Sequence, residues 1–234
     1  MNVVLKRRTM KHLIIGGSKG IGAALLEQFT TQQEECIVFS RTAIEGFPGV
    51  QHVELDVTSD ELPELEDIKS ITYCPGTINL KPISSLKEED FLNDFSVNVL
   101  GAIRVIKKYH RQLKANKGSI VLFSTVAVGQ GMPFHASVAV SKAGVEGLTR
   151  SLAAEFAPNI RVNCIAPTIT DTPLASGLLR NDKIRENTAE RHPLKRFLEP
   201  KEIAGMAAYL HSELAIGISG QVIGIDGGLS RLRV

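Results

Sequence analysis

The chain has 234 residues, 43% of them hydrophobic and 22% charged, with a formal net charge of +2. This balance favours one soluble globular domain; it gives no electrostatic support for nucleic-acid binding, and no apolar run reaches the ~18 residues of a membrane span. The three cysteines have neither metal-ligand spacing nor a C-x-x-C pair, so we expect reduced thiols in a cytoplasmic protein that holds no metal.

A short strand, a glycine-rich turn and a helix come first. Residues 12–15 are apolar, and Gly16, Gly20 and Gly22 follow with the spacing G-x-x-x-G-x-G. Glycine permits a sharp exit from a strand and a close approach of the backbone to a ligand. The N–H groups at the start of the next helix then form a site for a pyrophosphate. Because a second strand follows at residues 36–40, this unit predicts a dinucleotide site.

The rest of the chain alternates strand-like and helix-like segments. Further strands are predicted at residues 52–57, 70–74, 118–125, 160–165 and 221–225, long amphipathic helices at 88–115 and 135–156, and shorter helices within 59–69, 174–192 and 200–209. This alternation predicts an α/β protein with a doubly wound parallel sheet of about seven strands. We expect one domain over residues 11–234, after a leader at 1–10 that can be disordered, with ligands at the carboxyl ends of the strands.

Six motifs carry a resemblance to a known family. They are the glycine turn, Asp56-Val57, Asn98-Val99-Leu100-Gly101, Ser141-Lys142-Ala143, the run from Ile160 to Pro167, and Ile225-Asp226-Gly227-Gly228. In this order they resemble the short-chain dehydrogenase/reductase family, from about residue 11 to residue 228. The resemblance implies a Rossmann-type fold, a nicotinamide dinucleotide cofactor and oxidoreductase activity.

The end of the second strand bears on which nucleotide is bound. An acidic residue there would accept hydrogen bonds from a ribose 2′-hydroxyl and favour NAD. This chain has Ser40 and Arg41 instead, and Lys19 in the glycine turn. Two cations suit a 2′-phosphate, so we expect NADP(H) to be preferred over NAD(H), unless both are ordinary solvated side chains. With the resemblance, the expected cofactor contacts are Gly16, Ser18, Lys19, Gly20, Ile21, Gly22, Ser40, Arg41, Asp56, Val57, Gly76, Asn98, Lys142, Pro167, Thr170 and Thr172.

The resemblance also assigns the catalytic positions. The lysine is Lys142, the asparagine is Asn98, and the serine position is Thr125, with Ser124 beside it. Threonine supplies the same hydroxyl group as serine. The tyrosine position, four residues before the lysine, is Val138, which cannot transfer a proton. The family's usual acid is therefore missing from its position.

His135 is the candidate for a replacement acid. It precedes Lys142 by seven residues, the spacing at which enoyl-reductase members of the superfamily place their tyrosine. On a helix, His135, Val138 and Lys142 share one face, and histidine titrates near neutral pH. The alternative is a residue at the start of the helix that faces solvent.

Two features predict what the protein binds besides its cofactor. Residues 174–196 cover the place of the family's substrate lid and are rich in lysine and arginine. These charges either attract an anionic substrate, such as a phosphopantetheine thioester, or form a solvated basic face. The apolar residues of 88–115 and 135–156 predict self-association to a dimer or tetramer, and we expect no nucleic-acid or membrane partner.

Taken together, the residues predict an NADP(H)-dependent oxidoreductase that reduces a carbonyl or an enoyl group. Thr125 or Ser124 would polarise the substrate oxygen, and His135 or a water held by Asn98 would supply the proton. The alternative is a catalytically silent protein on the same fold that binds NADP(H) for sensing or assembly.

Overall fold

Seven parallel strands form one sheet in the order β3-β2-β1-β4-β5-β6-β7 in the computed structural model, which describes residues 9–233. The strands are β1 Lys11–Ile15, β2 Glu35–Ser40, β3 Gln51–Glu54, β4 Ile68–Tyr73, β5 Ser119–Phe123, β6 Arg161–Pro167 and β7 Val222–Ile225. The chain reverses its direction across the sheet between β1 and β4, which opens a crevice at their carboxyl ends. The predicted α/β class and doubly wound sheet are confirmed.

Helices cover both faces of this sheet. They are α1 Gly20–Thr31, α2 Glu88–Phe95, α3 Gly101–Ala115, α4 Ala127–Gln130, α5 Ala136–Phe156, α6 Asp182–Glu190 and α7 Pro200–His211. A π-helical turn, Ser96–Leu100, joins α2 to α3, so the predicted helix over 88–115 is continuous but widened at one turn. Such turns are frequent at functional sites, and this one contains Asn98.

The core has two layers, one on each face of the sheet. Along β1, Leu13 and Ile15 belong to one layer and Ile14 to the other, because successive side chains of a strand point to opposite faces. Side chains of α3 and α5 pack in the first layer, and those of α1 and α7 in the second. Complete burial of one such side chain contributes ~1.5–3 kcal/mol.

The segment 59–69 contains no helix, so this part of the sequence prediction was wrong. Pro63 lacks a backbone N–H and disfavours helical backbone in the residue before it. Side chains of α3 donate hydrogen bonds to carbonyl oxygens of the segment instead. Arg104 donates to Asp60 O at 2.8 Å, and Tyr109 donates to Pro63 O at 2.8 Å. The chain therefore crosses this face in extended form.

Smaller differences concern the ends of elements. The third strand ends at Glu54, earlier than predicted, so that Asp56 lies in the loop that follows. The second long helix begins at Ala136, with His135 as its N-cap residue. Of the predicted leader, residues 1–8 lie outside the described residues. Within residues 9–233 no helix has the length and apolar character of a membrane span, and no cluster of three or more His, Cys, Asp or Glu side chains could hold a metal ion.

Candidate active site

The glycine turn brings the start of α1 against the end of β1. Gly16 has a φ of +78°, a conformation that favours glycine, and its N–H donates to Phe39 O at 2.7 Å. A Cβ atom at Gly22 would clash with the carbonyl oxygen of Gly16. Helix α1 can therefore approach the turn this closely only because position 22 lacks a side chain, and its N-terminal N–H groups lie above β1.

A cavity of about 520 Å³, which we call the glycine cleft, extends from this turn along the carboxyl ends of β1, β2 and β4. Four of the expected cofactor residues, Asn98, Lys142, Pro167 and Thr170, do not line it. The twelve that do are Gly16, Ser18, Lys19, Gly20, Ile21, Gly22, Ser40, Arg41, Asp56, Val57, Gly76 and Thr172. Most residues expected from the motifs are thus brought to one surface.

One corner of the glycine cleft lies at the end of β2. Thr42 Oγ1 donates to Ser18 Oγ at 3.0 Å, and the hydroxyl of Ser40 is turned inward, where it donates to Thr42 O at 2.7 Å. The guanidinium of Arg41 is 79% exposed, 3.8 Å from the carboxylate of Asp56. Hydrogen bonds from the Thr58 hydroxyl and N–H lower the pKa of Asp56. This corner presents hydroxyl groups and an exposed cation directly after β2.

Lys142 and Asn98 meet at Gly76, which follows β4. Lys142 Nζ is buried and donates to Phe123 O at 2.9 Å. Asn98 Oδ1 is also buried and accepts no hydrogen bond from any residue between 9 and 233. A Cβ atom at Gly76 would lie 3.3 Å from Asn98 Oδ1 and 3.4 Å from Lys142 Nζ. Burial lowers the pKa of Lys142 to about 8, so its charge changes near physiological pH.

The two hydroxyl candidates after β5 have different surroundings. Ser124 is buried, and its Oγ donates to Glu146 Oε1 on α5 at 2.8 Å. Thr125 Oγ1 accepts the N–H of Ala127 at 3.3 Å, and within the described part of the chain it donates to no acceptor. Ser124 therefore gives its hydroxyl hydrogen to Glu146, and Thr125 is the one of the two that retains a hydrogen for a ligand.

No tyrosine compensates for valine at position 138. Val138 is buried, with 6% of its surface exposed. The three tyrosine hydroxyls of the chain all donate to backbone carbonyls: Tyr73 to Val97 O at 2.6 Å, Tyr109 to Pro63 O at 2.8 Å and Tyr209 to Leu214 O at 3.3 Å. Each of these hydroxyls has a structural hydrogen bond away from Lys142.

His135 lines a second cavity, of about 530 Å³, which we call the apolar cavity. Its walls come from the loop after β4 and from the segment between β5 and α5, and they include Ile83, Val128 and Phe134. His135 Nδ1 lies 2.7 Å from Pro133 O, so the neutral ring carries its hydrogen on Nδ1 and offers Nε2 as an acceptor. His135 therefore lines the apolar cavity and not the glycine cleft, although it shares the N-terminal end of α5 with Val138.

The predicted lid is a 3-10 turn, Pro173–Leu178, followed by α6. Thr172 caps this turn, because its Oγ1 accepts the N–H of Ala175 at 3.3 Å. Pro167 ends β6, and Thr170 is held by a bridge to Leu198.

Several lid cations have ion-pair partners, namely Arg185 with Asp171, Lys195 with Glu190 and Arg196 with Glu202. Arg180, Lys183 and Arg191 are exposed, and they make no ion pair within residues 9–233.

The structure adds one polar group that sequence reasoning missed. Asp94 is 0% exposed, and its carboxylate accepts Thr77 Oγ1 at 2.6 Å and Ser137 Oγ at 2.5 Å. Thr77 Oγ1 in turn accepts Asn98 Nδ2 at 3.0 Å. A signal was present in the sequence, because Asp94 precedes Asn98 by four residues and so lies on the same helix face.

Comparison with known proteins covers nearly the whole chain. The family described as enoyl-(acyl carrier protein) reductase matches residues 63–230. The 3-oxoacyl-[acyl-carrier-protein] reductase FabG of Thermotoga maritima is 35% identical over 238 residues, which cover 93% of this chain and 96% of that protein. The 3-oxoacyl-[acyl-carrier-protein] reductase MabA of Mycobacterium tuberculosis is 31% identical over 229 residues, covering 93% and 91%.

A solved structure gives the same result for the fold. Ligand-free aldohexose dehydrogenase of Thermoplasma acidophilum has a TM-score of 0.87 and 27% sequence identity, and the match covers 97% of this chain and 96% of that one. The seven-stranded parallel sheet agrees with this match. The chain belongs to the short-chain dehydrogenase/reductase family, whose members are oxidoreductases with an NAD(P)(H) cofactor.

Proposed function

We propose that this protein is an NADP(H)-dependent reductase that acts on a carbonyl or an enoyl group. The proposal rests on the meeting of Lys142 and Asn98 beside Gly76, at the edge of the glycine cleft. In a purely structural core it would cost free energy to bury both the ammonium group of Lys142 and the amide oxygen of Asn98, which accepts no hydrogen bond within residues 9–233. Beside a nicotinamide ribose the same groups find hydrogen-bond partners. The nucleotide supplies the hydride when bound, and residues of the chain bind it and handle the proton.

The glycine cleft fits a dinucleotide with a 2′-phosphate. The glycines of the turn leave the N–H groups at the start of α1 open to a pyrophosphate. Ser18, Arg41 and Thr42 line the cleft at the end of β2, where binding of a free ribose 2′-hydroxyl would call for a carboxylate. Arg41 can bind a phosphate through two N–H groups, and Lys19 adds a second cation. These contacts favour NADP(H) over NAD(H).

Three side chains then have distinct roles in the reduction. Lys142 binds the ribose hydroxyls through its ammonium group. Thr125 polarises the substrate oxygen, because its hydroxyl hydrogen is available while that of Ser124 is given to Glu146. Asn98 Oδ1, an acceptor without a partner among residues 9–233, holds the water that delivers the proton. His135 is the second candidate donor, from the side of the apolar cavity.

The surroundings of the site favour an acyl thioester as substrate. The apolar cavity offers a largely apolar wall that includes Ile83, Val128 and Phe134, which suits a hydrocarbon chain. Arg180 and Lys183 on the lid are exposed and suit the phosphate of a phosphopantetheine arm. Two of the relatives are named as reductases of acyl groups on a carrier protein. Reduction of an enoyl group fits best without a tyrosine, since the enolate takes its proton from solvent.

A second function is favoured by one observation. Val138 is buried at the tyrosine position, and all three tyrosine hydroxyls are bonded to backbone carbonyls elsewhere. A protein that binds NADP(H) for sensing or assembly would need Lys142 and the glycine cleft but no acid. The cytoplasmic location remains a prediction in either case.

Oxidation of NADPH, followed by its absorbance, separates the two functions. The wild type and Val138→Tyr are compared on one panel of diketones, quinones and enoyl thioesters, with NADH as the alternative donor. Val140→Tyr is the matched control, because position 140 on α5 is exposed. The reductase proposal predicts turnover by the wild type, faster with NADPH than with NADH, and no gain in Val140→Tyr.

The other outcomes are equally clear. Turnover by Val138→Tyr alone supports the silent binding protein, because the scaffold is then competent and only the acid is absent. If neither protein binds or oxidises NADPH, both functions are refuted. Turnover by the wild type that is abolished in His135→Ala would identify His135 as the proton donor and exclude the water at Asn98.

A further inference from the structure

Phe134 combines a strained backbone with an exposed aromatic side chain. Its φ is +68°, in the left-handed region that glycine and asparagine adopt easily and that a bulky residue rarely adopts. Within the described residues 9–233, Phe134 belongs to neither layer of the core, and 57% of its surface is exposed. Strained residues of this kind cluster where ligands bind. Because the core gains no packing from this ring, its role lies at the surface that it lines.

A backbone hydrogen bond connects Phe134 to the loop after β4. The N–H of Lys81 in that loop donates to Phe134 O at 3.2 Å. The bond joins the two segments whose residues form the apolar cavity, and each segment contributes one large exposed apolar side chain to its wall. These side chains are Ile83, which is 69% exposed, and Phe134. Exposed apolar groups that line one concavity are typical of a ligand site.

The polar side chains of the apolar cavity favour an uncharged occupant. They are Lys81 and His135, and the other side chains of the wall are apolar. Lys81 Nζ lies 3.0 Å from the carboxylate of Asp90, so its charge is already paired, and His135 Nδ1 lies 2.7 Å from Pro133 O. A charged ligand would lose its hydration here without a partner of opposite charge. A hydrocarbon chain instead gains free energy for each CH2 group that it buries.

The apolar cavity is also close in the chain to the group proposed to bind the substrate oxygen. Ala127 and Val128 line the cavity and follow Thr125 by two and three residues. The opposite wall belongs to the loop that follows Gly76. An acyl group whose oxygen accepts the hydroxyl of Thr125 can therefore extend its hydrocarbon chain along the β5–α5 segment into the cavity.

We propose that Phe134 is a specificity-determining residue, whose ring binds the hydrocarbon chain of an acyl substrate in the apolar cavity. This inference rests on the proposed function for the acyl thioester as substrate. It goes further because it assigns the recognition of chain length to one side chain. Binding of the chain requires neither nucleotide nor turnover, so it can be tested separately from the reductase activity.

The experiment measures the affinity of the full chain for coenzyme A and for its butanoyl, hexanoyl and octanoyl thioesters by isothermal titration calorimetry, without NADPH. Coenzyme A alone measures binding of the part that these probes share. For the wild type we expect the octanoyl thioester to bind at least tenfold more tightly than the butanoyl thioester, because four more CH2 groups are buried. In Phe134→Asn we expect this ratio to fall to about threefold or less, with the affinity for coenzyme A unchanged.

Asparagine is chosen because it tolerates the left-handed backbone. We therefore expect the melting temperature of Phe134→Asn to equal or exceed that of the wild type, which separates loss of the ring from loss of the fold. Phe134→Gly, whose backbone adopts this φ freely, provides the test if Phe134→Asn does not fold. Leu214→Asn is the matched control, because Leu214 is apolar and 80% exposed but does not line the apolar cavity. It should keep the wild-type ratio.

Four results would overturn the inference: no dependence of wild-type affinity on chain length, a wild-type ratio in folded Phe134→Asn or Phe134→Gly, an equal loss of affinity for coenzyme A, or the same loss in Leu214→Asn. If chain length matters as expected but the wild type oxidises no NADPH with any substrate, the reductase proposal fails and the acyl site stands. If diketones are reduced and chain length has no effect, the reductase proposal stands and the role of Phe134 is refuted.

Discussion

Asn98 and Lys142 reach the same point from different helices: a Cβ atom at Gly76 would lie 3.3 Å from Asn98 Oδ1 and 3.4 Å from Lys142 Nζ. Asn98 is in the π-helical turn after α2, and Lys142 is in the second turn of α5. A glycine at the end of β4 is what allows the two polar groups to approach the glycine cleft together.

Gly76→Ala is therefore expected to weaken NADPH binding by about tenfold, because the added methyl group displaces one of the two side chains. Isothermal titration calorimetry measures this affinity. Gly129→Ala is the control, since its added methyl group meets no atom within 4 Å. Equal affinities for Gly76→Ala and the wild type would mean that the Asn98–Lys142 pair does not contact the nucleotide.

The preference for NADP(H) is expected to depend on Arg41. Its guanidinium is 79% exposed beside Asp56 and can bind a 2′-phosphate through charge-assisted hydrogen bonds, each worth ~1.5–3 kcal/mol. Arg41→Ala should weaken NADPH binding about 10- to 100-fold and leave NADH binding nearly unchanged. Arg111→Ala, at an exposed position of α3, should change neither. A parallel loss for both nucleotides would contradict a 2′-phosphate contact.

Two neighbouring histidines, the buried His12 on β1 and the partly buried His211 at the end of α7, predict a loss of stability in acid. His12 Nδ1 lies 2.5 Å from Ser70 Oγ, and His211 bonds to Thr72 and Ser119 at 2.7 Å each. Burial lowers the pKa of His12 well below its usual value and that of His211 to about 3. The unfolded chain, with histidine pKa values near ~6.5, therefore binds more protons than the folded protein once the pH falls below that value.

The free energy of unfolding should be highest above pH ~6.5 and fall below it by up to about 1.4 kcal/mol per pH unit for each histidine. Thermal melting from pH 7.5 to 5 measures this slope. His211→Gln, whose amide can still bond to Thr72 or Ser119, should reduce the slope by about half. His110→Gln, at a partly exposed site on α3 away from these hydrogen bonds, should leave it unchanged. A wild-type slope in His211→Gln would exclude this origin of the acid sensitivity.

Self-association is expected through the exposed apolar side chains on the long helices. Leu92, Leu100 and Val140 are 61%, 46% and 59% exposed on α2, the π-helical turn and α5. Burial of these side chains between copies of the chain would contribute ~25 cal/mol per Å2 of apolar surface. Leu92→Glu should lower the mass measured by light scattering, whereas Thr31→Glu, at the exposed end of α1, should not. A monomeric wild type would refute the predicted dimer or tetramer.

Local patterns were sufficient to predict the alternation of strands and helices, the glycine turn and the resemblance to the family. These features are local, because alternation of apolar runs, turn glycines and short motifs needs no knowledge of distant contacts. The absence of tyrosine at position 138 was likewise visible in the sequence. The helix predicted within 59–69 failed for a local and a nonlocal reason. Pro63 disfavours helical backbone in the residue before it, and Arg104 and Tyr109 of α3 donate hydrogen bonds to carbonyl groups of the segment.

Which polar groups face one another depends on the packing of distant elements. Ser124 and Thr125 are neighbours in sequence, and the packing of β5 against α5 turns one hydroxyl to Glu146 and leaves the other available. Packing of α2 against α5 likewise brings Ser137 to the buried carboxylate of Asp94, and the loop after β4 brings Thr77 to it. The direction of a side chain depends on the register and packing of elements far apart in the chain, which no local pattern specifies.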